Sequence, residues 1–177
     1  MRIISGKHKG YRFYPPRNLP VRPTTDYAKS GLFNILNNEF DFATVSLLDL
    51  FCGTGSISFE FSSRGCTQIT AIDKSFHCVK YVREMTKTLD MEGIEVYKSD
   101  VFKFLHLCID KFDIIFTGPP YALRNIPALP GKIFELGLLN KEGWLIVEHS
   151  KQLSLAEVEH YKLSRSYGST IFSIFTH

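Results

Sequence analysis

The stretch Leu47-Leu48-Asp49-Leu50-Phe51-Cys52-Gly53-Thr54-Gly55-Ser56-Ile57 limits what this chain can fold into more than any other. Apolar residues run from Val45 to Phe51, broken only by Ser46 and Asp49. A short run of this kind suits a strand buried on both faces of a parallel sheet. Two glycines two positions apart then force a tight turn, and the residues from Ser56 onward read as a helix with Ile57 and Phe61 on its inner face. Strand, glycine turn and helix together bring bare backbone N–H groups and a helix N-terminus close to a ligand. Asp49 lies at the end of the strand, inside an otherwise apolar run. A buried carboxylate is costly unless something pairs with it, and a cationic group on a ligand would do so. An ordinary strand-to-helix turn accounts for the glycines but not for Asp49.

A dinucleotide site would need Gly-x-Gly-x-x-Gly/Ala, and the third position here is Ser58. No Gly-x-x-x-x-Gly-Lys-Ser/Thr phosphate loop is present either. The Asp-x-Phe-x-Gly-x-Gly arrangement of residues 49–55 instead resembles the first motif of class I methyltransferases. The ligand it implies is S-adenosylmethionine.

From residue 45 the chain alternates strand and helix patterns, which predicts a parallel sheet with helices on both faces. The expected strands are 45–51, 68–73, 94–98, 112–117 and 143–148, with helices near 56–64, 76–89, 101–108 and 132–139. Two apolar tail segments, near 160–167 and 169–176, flank the turn Ser166-Tyr167-Gly168-Ser169 and predict an antiparallel hairpin at the sheet edge. Ahead of this α/β domain, residues 1–13 read as a hairpin around Gly6-Lys7-His8-Lys9-Gly10. A proline-rich connector follows, then a helix opening at Thr24-Thr25-Asp26. The expected division is a basic hairpin and capping helix at 1–40 and the sheet domain at 41–177.

Charge is unevenly spread. The whole chain carries +3, yet residues 1–37 alone carry +6. Tyr11, Phe13 and Tyr14 are interleaved with these cations, and Lys and Arg beside aromatics fit phosphate pairing plus base stacking. A plain amphipathic hairpin fits equally well. The four cysteines form no Cys-x-x-Cys pair, so they read as reduced thiols of a cytoplasmic protein without a metal site. No apolar run approaches the length of a membrane span.

Three acidic residues fall at the carboxyl ends of expected strands, where ligands bind in open α/β sheets: Asp49, Asp73 and Asp100. Asp73 suits the ribose hydroxyls. Asp100, with Val101, suits the adenine, or Asp100 simply caps the next helix. Phe51, Gly53, Gly55, Lys74 and Thr24 complete the expected cofactor set. The fourth strand ends in Thr117-Gly118-Pro119-Pro120-Tyr121, a rigid turn that projects an aromatic ring near the same crevice.

Together these residues resemble the bacterial 16S ribosomal RNA guanine-N2 methyltransferases of the RsmD type. The resemblance rests on Arg2-Ile3-Ile4-Ser5-Gly6-Lys7-His8-Lys9-Gly10, Arg22-Pro23-Thr24-Thr25-Asp26, Leu32-Phe33-Asn34-Ile35-Leu36, Leu48 to Gly55, Pro119-Pro120-Tyr121 and Glu148-His149-Ser150-Lys151. It implies a seven-stranded class I fold, S-adenosylmethionine as methyl donor, and 16S rRNA as partner within a small-subunit assembly particle. Its target would be the exocyclic amino group of one guanine. Arg2, Lys7, His8, Lys9, Arg12 and Arg22 would bind the RNA, and Gly118, Pro119, Pro120 and Tyr121 would form the catalytic turn. Gly118 departs from the family, which carries Asp or Asn there to accept a hydrogen bond from the target amino group. Two other readings follow: a catalytically impaired RNA-binding or assembly protein on the same scaffold, or an adenine-N6 or cytosine-N4 nucleic-acid methyltransferase.

Overall fold

The computed structural model describes residues 1–16, 19, 21, 23–123 and 125–177. Its elements are α1 (Asp26–Glu39), β1 (Ser46–Leu50), α2 (Ser56–Ser63), β2 (Gln68–Asp73), α3 (Phe76–Thr88), β3 (Ile94–Lys98), α4 (Val101–Leu107), β4 (Phe112–Thr117), α5 (Ala128–Glu135), β5 (Leu139–Ser150), β6 (Tyr161–Tyr167) and β7 (Thr170–Phe175). They form one seven-stranded sheet of order β3-β2-β1-β4-β5-β7-β6. Strands β1 to β5 run parallel, and β7 lies antiparallel between β5 and β6. This is the class I methyltransferase architecture that the glycine-turn motif implied, closed by the expected tail hairpin.

Strand alternation assigns the residues of β1 to two cores. Leu47 packs under α1 and α2 with Phe33, Phe61 and Ile114. Leu48 and Leu50 face Val101, Leu105 and Ile133 of α4 and α5. Asp49 shares the face of Leu47, which places it beneath α2. There the Ser58 hydroxyl donates to Asp49 Oδ2 at 2.5 Å. A serine therefore stands where a dinucleotide site would have glycine because it partners the strand's carboxylate.

The N-terminal segment is tied down. Arg2 and Arg12 form an isolated antiparallel bridge, and backbone bonds join Ile3 to Tyr11 and Gly10, and Phe13 to Met1. The hairpin docks on α2, where the Ile4 and Ser5 N–H groups donate to the two Glu60 carboxylate oxygens at 2.8 and 3.0 Å. Glu60 and Lys29 are both fully buried and lie 3.6 Å apart, and Arg64 pairs with Glu60 at 2.9 Å. The Lys29 ammonium also donates to the Arg2 carbonyl and the Ser56 hydroxyl. Burial holds its pKa below the ordinary lysine value, and Glu60 opposes that shift. Phe13 stacks on Phe59 of α2 with ring centroids 5.0 Å apart.

One element lies elsewhere than expected. The helix anticipated at 132–139 runs over Ala128–Glu135, and β5 already begins at Leu139. Pro130 sits in the first turn of α5, where a backbone N–H has no intrahelical partner, so it does not break the helix. Among the described residues no helix is long and apolar enough to cross a membrane, and the four cysteines are free thiols.

Candidate active site

The carboxyl ends of β1, β2, β4 and β5 open onto a cleft of about 370 Å³. Its first wall is the glycine turn. Phe51, Gly53 and Gly55 all have left-handed backbone, with φ of 60°, 54° and 74°. For a phenylalanine this is a rare conformation, and strain of this sort persists only where the surrounding structure enforces it. The Gly53 N–H donates to Asp73 Oδ2 at 2.9 Å, and the Ser75 N–H donates to Asp73 Oδ1 at 2.8 Å. Asp73 thus braces the turn from the end of β2. Because the Gly53 amide is already engaged by a carboxylate, this turn is not arranged as a phosphate cradle.

Asp49 lines the floor and is 1% exposed. Burial pushes its carboxyl pKa up to about 7, opposed by the Ser58 hydroxyl. Neighbouring Asp73 and Glu148 raise it further. Three carboxylates around one small cleft favour a ligand that carries positive charge. Such a donor set fits the sulfonium and α-ammonium groups of S-adenosylmethionine, and it disfavours a pyrophosphate.

The second wall comes from β4 and β5. Gly118, Pro119, Pro120 and Tyr121 follow β4 and line the cleft, as the sequence leads one to expect. Thr24 closes this side from the connector ahead of α1, and its hydroxyl donates to Glu148 Oε2 at 2.5 Å. The Tyr121 hydroxyl reaches Glu148 Oε1 at 3.5 Å. Glu148, on β5 and 7% exposed, is the charged residue, among the described residues that line the cleft, that the sequence leaves out of the expected site. The same signal that marks Asp49 was present: an acid at the end of the apolar run Trp144-Leu145-Ile146-Val147.

The cleft brings together Thr24, Asp49, Phe51, Gly53, Asp73, Lys74 and the 118–121 turn. Gly55 stands just behind, as the N-cap of α2. Asp100 and Val101 lie outside the lining. Asp100 is exposed and caps α4 by accepting the Lys103 N–H at 3.1 Å, while Val101 is buried in the core beneath. Of the expected RNA-binding residues, Arg2, Lys7, Lys9 and Arg12 are exposed on the docked hairpin and His8 is half-buried, its N–H bonded to Ser63 Oγ. Arg22 falls outside the described residues. The hairpin starts at the rim of the cleft, since Thr54 lines the cleft and contacts Met1 Sδ at 3.4 Å. Tyr11, Tyr14 and Tyr27 are exposed on the same part of the chain.

Comparison with known proteins follows this geometry. The model of the family described as conserved hypothetical protein 95 matches residues 1–176. A Bacillus subtilis protein named "Putative rRNA methyltransferase YlbH" is 33% identical over 182 residues, covering 99% of this chain and 98% of the relative. Ribosomal RNA small subunit methyltransferase D of Escherichia coli K12 is 29% identical over 148 residues, covering 84% of this chain and 71% of the relative. Among solved structures, one titled "Putative methyltransferase yhhF from Escherichia coli" superposes with a TM-score of 0.86 at 22% identity. It covers 99% of this chain and 96% of that one, and at this identity it speaks to the fold.

Proposed function

Since this chain belongs to the family described as conserved hypothetical protein 95, the RsmD family, we propose that it methylates the exocyclic N2 amino group of one guanine in the 16S rRNA of the small ribosomal subunit, acting in the cytoplasm on an assembly particle. The observation that carries this reading is a single cleft that joins two arrangements. One is a carboxylate-lined glycine turn, and the other is the Gly118-Pro119-Pro120-Tyr121 turn. The names of the relatives, rRNA methyltransferases, agree with it.

S-adenosylmethionine supplies an electrophilic methyl group on a positively charged sulfur. Asp49 offers negative charge to the cationic end of that cofactor, and the Phe51–Gly55 turn lets the backbone approach it closely. Asp73 suits the ribose hydroxyls while it fixes the turn. Asp100 and Val101 would meet the adenine only at the outer end of the site. Tyr121 offers a face for stacking the target base once that base has left its own stack. The docked hairpin presents Arg2, Lys7, Lys9 and Arg12, with Tyr11 and Tyr14, to the RNA backbone and unstacked bases. The enzyme then works by holding two reactants in one geometry, which can supply several powers of ten in rate.

The test is incubation of small-subunit RNA, free and in precursor particles, with methyl-labelled S-adenosylmethionine, followed by digestion to nucleosides. Label in N2-methylguanosine is expected. Label in N6-methyladenosine or N4-methylcytidine would replace the guanine target. No label in any nucleoside would leave the chain as an RNA-binding protein on a methyltransferase scaffold.

A further inference from the structure

We infer that Glu148 supplies the hydrogen-bond acceptor that position 118 lacks: its carboxylate receives an N–H of the target amino group during methyl transfer. The inference rests on the function proposed above and names the residue that completes it.

Register puts the two positions side by side. β4 and β5 are parallel neighbours, with Thr117 opposite Val147, so Gly118 and Glu148 are the next pair along. A Cβ placed on Gly118 would lie 3.9 Å from Glu148 Oε2. The longer glutamate side chain, reaching from the adjacent strand, therefore brings a carboxylate to the neighbourhood that an aspartate at 118 would fill. Both residues line the cleft beside Pro119, Pro120 and Tyr121.

The carboxylate is held in place. Thr24 fixes Oε2, and β5 is flanked on both sides, by β4 and by β7, with Glu148 opposite Phe172. The next residue, His149, bonds Ser173 Oγ of β7 at 2.8 Å, which pins the strand at this point. The Tyr121 hydroxyl meets Oε1 at 3.5 Å, the outer limit of a hydrogen bond. A carboxylate oxygen carries two lone pairs, so it can accept an incoming amino N–H beside the bonds it already makes.

The chemistry needs such a group. The lone pair of the guanine amino nitrogen is delocalised into the ring, so the nitrogen is a poor nucleophile until it pyramidalises. A carboxylate accepting one of its N–H bonds favours the pyramidal form, an interaction stronger in the transition state than in the ground state. The nitrogen then forms its bond to the methyl carbon with its own electron pair, while the pair of the breaking S–C bond stays on sulfur. One proton leaves the resulting cationic nitrogen, and Glu148 Oε is the base beside it. An aspartate added at 118 would crowd two carboxylates together, and like charges at that distance cannot both remain ionised without cost.

Two measurements on the full-length protein decide the matter. The first is steady-state methylation of small-subunit RNA by wild type, Glu148→Gln, Gly118→Asp and the double variant. Glu148→Gln should lower kcat about 10²–10³-fold with KM for the cofactor little changed. Gly118→Asp alone should not speed the reaction, and in the Glu148→Gln background it should recover at least tenfold. Full rate in Glu148→Gln, or a faster Gly118→Asp single variant, overturns the inference. The second is independent of turnover: affinity for S-adenosylhomocysteine and for sinefungin, an analogue with an amine where the sulfonium methyl would be. Wild type should bind sinefungin about tenfold more tightly than S-adenosylhomocysteine, since the amine gives a charge-assisted bond to the carboxylate. Glu148→Gln should lose that preference and keep its affinity for S-adenosylhomocysteine, which also shows that it is folded. Equal preference in both proteins overturns the inference. A wild type that transfers no methyl but shows the sinefungin preference refutes the proposed reaction and still places Glu148 at the transfer point.

Discussion

The wall of the cleft at β1 and β2 is made of residues close in sequence, whereas the wall at β4 and β5 joins Thr24 to Glu148 across 124 positions. On the first wall, backbone does the work: left-handed residues at 51, 53 and 55 and amides braced by Asp73. On the second, side chains reach in from separate elements and a glycine leaves room for them. A backbone-built wall tolerates little change, because its shape depends on conformations that few residues adopt. A side-chain wall can move a functional group from one strand to the next and keep the group in the same place.

Glycine substitutions break this comparison most directly. Gly55 has φ +74°, and a Cβ there would lie 2.9 Å from Phe59 Cζ and 3.0 Å from Val82 Cγ2, both in the core that seats the N-terminal hairpin. Left-handed strain and overpacking together should make Gly55→Ala cost about 3 kcal/mol in urea unfolding. Binding of S-adenosylhomocysteine should weaken with it. A loss below about 0.5 kcal/mol would show that the first wall is as adaptable as the second.

Next in size is the pH response of Asp49. An acid whose pKa is raised on folding binds more protons in the folded than in the unfolded state, here between its unperturbed value of 3.8 and about 7. Stability of the ligand-free protein should therefore fall as pH rises through that window. A cationic ligand that pairs with ionised Asp49 has the opposite dependence. Its affinity should drop about fivefold from pH 7 to pH 6 and level off above the Asp49 pKa. Calorimetric titration with S-adenosylmethionine at several pH values measures this, and Asp49→Asn should flatten the profile. An unchanged slope in that variant would take Asp49 off the cationic end of the ligand.

The smallest effect belongs to Gly118, which does not have left-handed backbone and where a Cβ would meet the edge of the Phe116 ring at 3.3 and 3.9 Å and the Glu148 carboxylate at 3.9 Å. Gly118→Ala should change stability by no more than about 0.5 kcal/mol and leave S-adenosylhomocysteine affinity unaltered. A loss comparable to that of Gly55→Ala would mean that the second wall, too, is fixed by its backbone.

The same contrast explains what could be read from the sequence. The glycine turn, Asp73 and the Pro119-Pro120-Tyr121 turn follow from local patterns, and alternating strands and helices place them at one end of a sheet. Glu148 could be seen as an acid ending an apolar run, but its neighbour across β4 depends on strand register, which periodicity alone does not give. Lys29 and Glu60 are not legible in the sequence, because nothing in either helix signals a fully buried partner 31 positions away. Local pattern fails differently in α5: Pro130 looks like a breaker, yet in a first helical turn it removes no needed donor.

Synthesis delivers the strands in an order that the sheet does not follow. β7, the last of the seven to be made, is inserted between β5 and β6. Ribosomes add about 5–20 residues each second, so the glycine turn precedes residue 175 by roughly 6–24 s. β5 is complete once Ser150 is added, about 1–5 s before residue 175, and until β7 arrives its outer edge, from Leu145 to Ser150, has unpaired backbone groups and Glu148 stands on a strand supported from one side only. A nascent chain could hold a nucleoside ligand before it could orient an acceptor for the base. It also presents an open strand edge that invites pairing with other chains. Competence for chemistry and protection from aggregation thus arrive together, with the closing of one strand.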